Sequence, residues 1–229
     1  MEKEKTHEKQ PQYFDIIVAL FVAVLLISNI ASTKIVSFWY LTLDAGTILF
    51  PLSYIFGDIL TEVYGYKRSR RVIWTGFFCA FLMSIIFVIV QFLPSAEGWN
   101  NQIAYESILG FIPRIVIASL IAYLAGEFSN SITLSKLKIK TKGKWLWLRT
   151  ISSTLIGQMV DTLLFCIIAF LGVFPTDMLI AIILSNYLFK CGLEILFTPL
   201  TYKVVHFLKK KEGIDHYDYK TSYNPFVLK

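Results

Sequence analysis

Six long apolar stretches, separated by short polar ones, dominate the pattern along this chain. They fall at about 13–32, 46–65, 71–92, 108–128, 150–173 and 178–208, each near or above the roughly 18 to 20 residues a helix needs to cross about 30 Å of hydrocarbon. Pro51 and Gly57 predict a kink or an unwound start in the second stretch. A turn-like stretch with Lys34, Asp44 and Gly46 precedes it. The segment PSAEGWNNQIAYES between the third and fourth stretches has no Lys or Arg and predicts a non-cytoplasmic loop with a short interfacial helix. Basic residues gather after the second, fourth and sixth stretches, and the loops after the third and fifth carry none. The excess of Lys and Arg on cytoplasmic loops then places both termini inside.

The expectation is an all-α integral membrane protein of the cell membrane, with six transmembrane helices. Residues 1–12 form a cytoplasmic N-terminal tail, 13–208 the transmembrane domain and 209–229 a cytoplasmic C-terminal tail, read as a solvated extension without chemistry. The first 30 residues resemble a signal peptide, but the longer runs that follow identify an uncleaved first span. Ser28-Asn29 and Ser129-Asn130 each precede a Lys at what reads as a helix exit, a weak echo that suggests an inverted arrangement of two three-helix halves.

Composition narrows the function. Among 229 residues, 55% are hydrophobic and 17% charged, with a mean hydropathy of +0.60, which is too apolar for an ordinary soluble domain. The net charge of +6 sits in short clusters between apolar runs, so no continuous basic face exists for nucleic acid. Cys79, Cys166 and Cys191 are few, far apart and embedded in apolar segments; they read as core residues, with neither a disulfide framework nor a metal site. The five Trp residues mostly sit where spans meet loops, as interfacial anchors do.

Polar residues inside the apolar stretches carry the candidate chemistry, because a carboxylate at membrane depth needs a pocket, a partner or a proton. In FPLSYIFGDILTEVYGYKRSRR, residues 50–71, Tyr54, Asp58 and Glu62 share one helical face. Glu62 either belongs to the cavity or pairs with Arg68, Arg70 or Arg71; Asp58 is the deep acid. Gln158 and Asp161 mark the fifth stretch among Ser152, Ser153, Thr154, Gly157 and Thr162. Asn186, Lys190 and Glu194 form a stripe on the sixth, where Lys190 either neutralises Glu194 or reaches across to Asp161. Arg114 and Glu127 lie in the fourth, and Asn29 ends the first. The acids outnumber the bases in this set, which suits a cationic or donor-rich solute and also proton coupling.

These motifs resemble the queuosine precursor transporters, also called the vitamin uptake transporter family. The likeness rests on Ser28-Asn29, residues 50–71, PRIVIASLIAYLAGEF at 113–128, RTISSTLIGQMVDTLLF at 149–165 and Asn186 to Lys190, and it covers nearly all of residues 13–205. It implies six membrane helices and uptake of a 7-deazaguanine such as preQ0 or preQ1. Carried over by motif, the binding residues are Asn29, Asp58, Arg114, Asp161 and Lys190, with Glu62, Gln158, Asn186 and Glu194 as further candidates. A carboxylate, Asp58 or Asp161, accepts from the ring N1–H and amine, a donor such as Lys190, Arg114 or Asn29 meets O6, and Phe50, Tyr54 or Phe165 stacks on the ring. The expected partners are this small molecule and the lipid bilayer, with a homodimer left open and no cofactor.

Two rival readings accompany this one. A substrate-binding membrane subunit of an energy-coupling-factor transporter also has six helices, and Ala19 and Ala23 supply the small-residue spacing of a docking face. An intramembrane enzyme, built on Asp58 with Asp161 or on Lys190, is the other; zinc spacing, a nucleophile elbow and a phosphate loop are missing from the sequence.

Overall fold

In the computed structural model, residues 11–31, 34–38, 41–109, 113–172, 175–219 and 221–227 are described. The apolar stretches become helices: α1 (Phe14–Ala31), α2 (Phe50–Tyr64), α3 (Tyr66–Gln91), α5 (Pro113–Lys140), α6 (Leu146–Phe170) and α7 (Thr176–Glu212), with the short α4 (Gln102–Leu109) in the loop where an interfacial helix is expected. Of these, α1, α3 and α6 are long and apolar enough to cross a membrane by length and composition. Polarity is arranged as lipid demands. Ile16, Leu20, Phe78, Leu82, Ile86 and Ile89 face outward, whereas Asp58, Glu62, Arg70, Glu127, Lys138, Arg149 and Glu194 are buried. The protein is a helical membrane protein.

Three local features differ from the sequence reading. The stretch before α2 holds an antiparallel hairpin, β1 (Ile35–Phe38) with β2 (Leu41–Asp44), Ile35 facing Asp44, followed by a 3-10 turn, Ala45–Ile48. The chain is therefore not wholly α-helical. Helix α2 begins at Phe50, with Pro51 in its first turn, where a missing N–H costs nothing. Helix α5 does not stop near 128 but continues to Lys140, so Ser129-Asn130 sits inside a helix while Ser28-Asn29 ends one. The echo between them gives no support to inverted halves.

Glycines set the closest helix contacts. A side chain on Gly126 would begin 3.1 Å from the Gly157 carbonyl oxygen, and one on Gly157 would begin 3.0 Å from the Gly126 carbonyl oxygen. Helices α5 and α6 thus cross backbone to backbone, as small residues allow where lipid offers no hydrophobic drive for association. Hydroxyls add a second tie: Thr61 of α2 donates to Ser69 of α3 at 2.8 Å and lies 3.1 Å from Ser131 of α5. Pro199 interrupts the α7 ladder, and the Thr198 hydroxyl bonds the Glu194 carbonyl at 3.0 Å beside it.

The C-terminal tail is docked rather than solvated. Asp218 accepts from the Tyr66 amide at 2.9 Å and from the Ser135 hydroxyl at 2.6 Å. Arg70 donates to the carbonyls of Ser222 and Asn224 at 2.8 and 2.7 Å, and the Trp74 indole to that of Pro225 at 2.9 Å. Gly65, the single residue between α2 and α3, has φ of +86°, and a side chain there would run into the His216 ring. At the same end the Tyr13 amide donates to Glu212 at 2.7 Å, so α1 starts where α7 finishes.

Beneath the tail, Glu62 collects cations. Arg149 grips it with two nitrogens at 2.7 and 3.2 Å, Lys209 lies at 2.7 Å and Lys138 at 3.7 Å. Arg68, Arg70 and Arg71 are not its partners. Lys138 and Lys209 also reach Asp215 of the tail, at 2.5 and 2.9 Å. Burial alone would raise Asp215, but these two bonds outweigh it and hold it below the usual carboxylate range. The contribution of Asp215 is therefore present above its ordinary value and is lost only as pH falls through the lowered one.

Two outcomes follow from this end of the bundle. Glu62→Ala leaves Arg149 buried without its carboxylate and is expected to cost about 3–5 kcal/mol, read as a lowered thermal midpoint in detergent; an unchanged midpoint would show that the cluster contributes nothing net. A chain ending at Glu212 loses the acceptors of Arg70, Lys138 and Ser135, and its midpoint should also fall. Equal protease resistance of the truncated and full chains around residues 64–70 would rule out the docked tail.

Candidate solute site

Helices α1, α3, α5, α6 and α7 enclose a cavity of about 110 Å³ on the side of the bundle away from the tail. Asn29 reaches it because α1 ends there, two residues on at Ala31, with Ser28 tied to the Gly46 carbonyl at 2.9 Å and Asn29 itself to the Leu25 carbonyl at 2.8 Å. Asp161 and Phe165, one turn apart on α6, and Asn186 and Lys190, one turn apart on α7, complete its polar wall. Lys190 donates to Asp161 at 2.9 Å, choosing Asp161 over Glu194. Their side chains are 13% and 5% exposed, so the pair is shielded yet open to the cavity. Such a pair presents one acceptor group and one donor group to a planar polar solute. The volume is below the roughly 300 Å³ of common ligand pockets, so side chains must draw back to admit a ligand of ordinary size.

Four of the nine residues singled out in the sequence, Asn29, Asp161, Asn186 and Lys190, therefore share one cavity. Asp58, Gln158 and Glu194 do not line it; they are buried among the helices. Asp58 accepts from Asn130 of α5 at 2.7 Å. Glu62 belongs to the cation cluster at the tail end. The side chain of Arg114 lies outside the described residues, as does that of Phe50. Tyr54 is close to Gly126, beside Asp161, without lining the cavity.

The sequence places Glu127 in the fourth apolar stretch but gives it no role in binding, yet it is fully buried, with one carboxylate oxygen 2.7 Å from where a Gly57 side chain would start. Its spacing carries a signal, since Tyr123, Glu127, Asn130 and Ser131 recur at helical period along the buried face of α5. Arg149 begins the motif at 149–165, and nothing in the sequence assigns it a role. It opens the polar face of α6, one turn before Ser153.

Residues 44–204 match the model of a family described as "Putative vitamin uptake transporter". A "Probable queuosine precursor transporter" of Bacillus subtilis is 30% identical over 176 residues, covering 76% of this chain and 77% of that protein. The "Queuosine precursor transporter" of Escherichia coli is 29% identical over 163 residues, 70% of this chain and 71% of its own length. A Haemophilus influenzae relative, also a "Probable queuosine precursor transporter", is 28% identical over 164 residues, 70% of this chain and 67% of that protein. No solved structure matches. The matched proteins are transporters and not enzymes. With the match spanning residues 44–204 and these relatives covering most of the chain, the protein belongs to the vitamin uptake transporter family, the queuosine precursor transporters.

Proposed function

We propose that this chain imports a queuosine precursor, a 7-deazaguanine such as preQ0 or preQ1, across the cell membrane as a six-span secondary transporter with both termini cytoplasmic. The observation that carries the reading is the convergence of Asn29, Asp161, Phe165, Asn186 and Lys190 on one cavity. Asp161 accepts the paired donors of the guanine edge, Lys190 meets O6, the amides of Asn29 and Asn186 serve the remaining ring atoms and Phe165 stacks on the ring. The described wall holds one acid and one base already joined, so its charge is balanced. A neutral nitrile, as in preQ0, then fits better than the aminomethyl cation of preQ1.

The orientation rests on where the cations gather. Arg149, Lys138 and Lys209 meet at Glu62, and Arg70 lies under the same tail, which supports a cytoplasmic location for this end. The cavity then faces the outer half. Domain limits of 13–208 for the membrane part keep their sequence basis, but the tail at 209–229 belongs to the cytoplasmic closure.

A second reading keeps one observation. Ala19 and Ala23 are exposed on α1, a small-residue face on which an energy-coupling partner would dock. Uptake by this chain alone in cells without the energising ATPases separates the two; import there supports the secondary transporter, and strict dependence on the ATPases supports the subunit.

Thermal-shift measurements in detergent with preQ0, preQ1, queuine and guanine test the ligand class. A deazaguanine at about 100 times its dissociation constant adds about 2.7 kcal/mol of stability; stabilisation by none of the four would end this reading. Asp161→Asn and Lys190→Met each remove a charge-assisted contact worth about 1.5–3 kcal/mol, so affinity should fall by roughly ten- to a hundredfold. Wild-type affinity in both variants would move the site elsewhere.

A further inference from the structure

Beside the solute cavity lies a cluster of buried polar groups that the transport chemistry above does not use. Asp58 of α2, Glu127 of α5 and Glu194 of α7 are 0%, 0% and 1% exposed. Among their six carboxylate oxygens, only Asp58 Oδ1 has a hydrogen bond among the described residues, from Asn130. Gln158 of α6 is also fully buried, and neither end of its amide has a partner. The Thr154 hydroxyl is beside Glu194 but outside hydrogen-bond geometry.

These acids are neighbours. Glu127 Oε2 presses on the α2 backbone at Gly57, next to Asp58. Glu194 is within electrostatic reach of both Asp58 and Glu127. The groups that face Glu127 are Asp58 and Tyr54 from α2, Asp161 from α6, Glu194 from α7 and Tyr123 on its own helix, with Cys79 of α3 beside Tyr123. No ion pair among the described residues includes Asp58, Glu127 or Glu194. Lys190 is joined to Asp161, and Arg149, Lys138 and Lys209 meet at Glu62.

Three unpaired carboxylates buried this deeply would each cost several kcal/mol if charged. Their mutual repulsion adds to that. Neutralisation by sodium needs a cage of several oxygens, whereas α2 and α5 run unbroken through Gly57 and Glu127 with their carbonyls committed to the helix ladder, and on α7 Pro199 frees a single carbonyl, that of Ile195. A proton needs no cage.

We propose that Glu127, flanked by Asp58 and Glu194, is a proton-binding site whose occupancy is coupled to the solute cavity. The link is short: a side chain on Gly126 would begin 2.8 Å from Asp161 Cβ, so the residue before Glu127 packs on the acid that pairs with Lys190. When a solute takes over Asp161 and Lys190, the field at Glu127 changes and its proton is released toward the cytoplasmic end; a proton from outside restores it on return. The coupling half of this proposal rests on the transporter reading; proton occupancy does not.

Infrared spectroscopy of the purified protein in lipid bilayers at neutral pH tests the occupancy without any solute. A protonated-carboxyl stretch that moves in D2O and weakens in Glu127→Gln is expected; its absence from the wild type, or equal intensity in the variant, overturns the site. Proteoliposomes loaded with preQ0 test the coupling. An inward proton gradient should raise wild-type uptake above plain counterflow, the ratio should fall to the no-gradient value in Glu127→Gln, and Glu127→Asp should restore part of it. A sodium gradient that drives uptake while a proton gradient does not would overturn the coupling. Failure of wild-type counterflow would refute transport of preQ0 while the infrared result still decides the site.

Discussion

A single carboxylate at the end of α2 holds one side of the bundle together. Glu62 is fully buried, and it survives there because Arg149 of α6 and Lys209 of α7 bond it directly while Lys138 of α5 lies close by. Desolvating so many charges is expensive, and the arrangement holds only because nearly every one of them has a partner. Asp215 balances the two lysines from the tail, and the Glu62 carbonyl accepts from Lys138 at 2.5 Å. Four helices and the tail thus meet through one acid. The hydrophobic effect cannot do this in lipid, where apolar faces gain little by meeting each other.

From that end the polar interior rises in levels, each with a different charge balance. At Glu62 cations and acids compensate in a tight cluster. In the middle, Asp58, Glu127 and Glu194 have no cation among the described residues. Toward the other end Lys190 and Asp161 pair at the cavity wall. The glycine crossing of α5 and α6 joins the upper two levels, because close backbone approach at Gly126 and Gly157 brings Asp161 against the residue beside Glu127. A larger residue at either position would separate levels that now share a field.

Most of the helices were legible in the sequence because lipid-facing positions must be apolar, and Phe78, Leu82 and Ile86 declare that on α3. Lys190 with Asp161 was among the pairings that helical spacing offered, but spacing within one helix left its choice over Glu194 open. Contacts between helices were illegible for the same reason: nothing local says that Glu62 takes Arg149, 87 positions away. Arg149 and Lys138 sit in a cluster that reads as a topology signal, and that reading hides a structural role. The tail misleads because its polar residues look solvated, although Asp218 serves the Tyr66 amide and Ser135. The continuation of α5 past residue 128 was missed because Ser, Asn and Lys suggest an exit, while their side chains find partners in the bundle, Asn130 at Asp58 and Ser135 at Asp218.

The same geometry constrains how a solute can leave. Helix α1 starts beside Glu212 and ends at the cavity, where Asn29 lies about 22 Å farther along its axis than Phe14. Between the cavity and the tail end stand the three buried acids and the Glu62 cluster, with the tail laid across α2, α3 and α5. A solute cannot pass a buried cluster whose bonds span four helices without breaking some of them. Opening therefore has to move α5, α6 and α7 relative to α2, since Lys138, Arg149 and Lys209 all bond Glu62 directly. Pro199 lies between Lys190 and Lys209 on α7, where the helix already lacks one backbone bond. Bending at that point would carry Lys209 away from Glu62 while leaving Lys190 on Asp161, so that the two ends of the polar interior can separate independently.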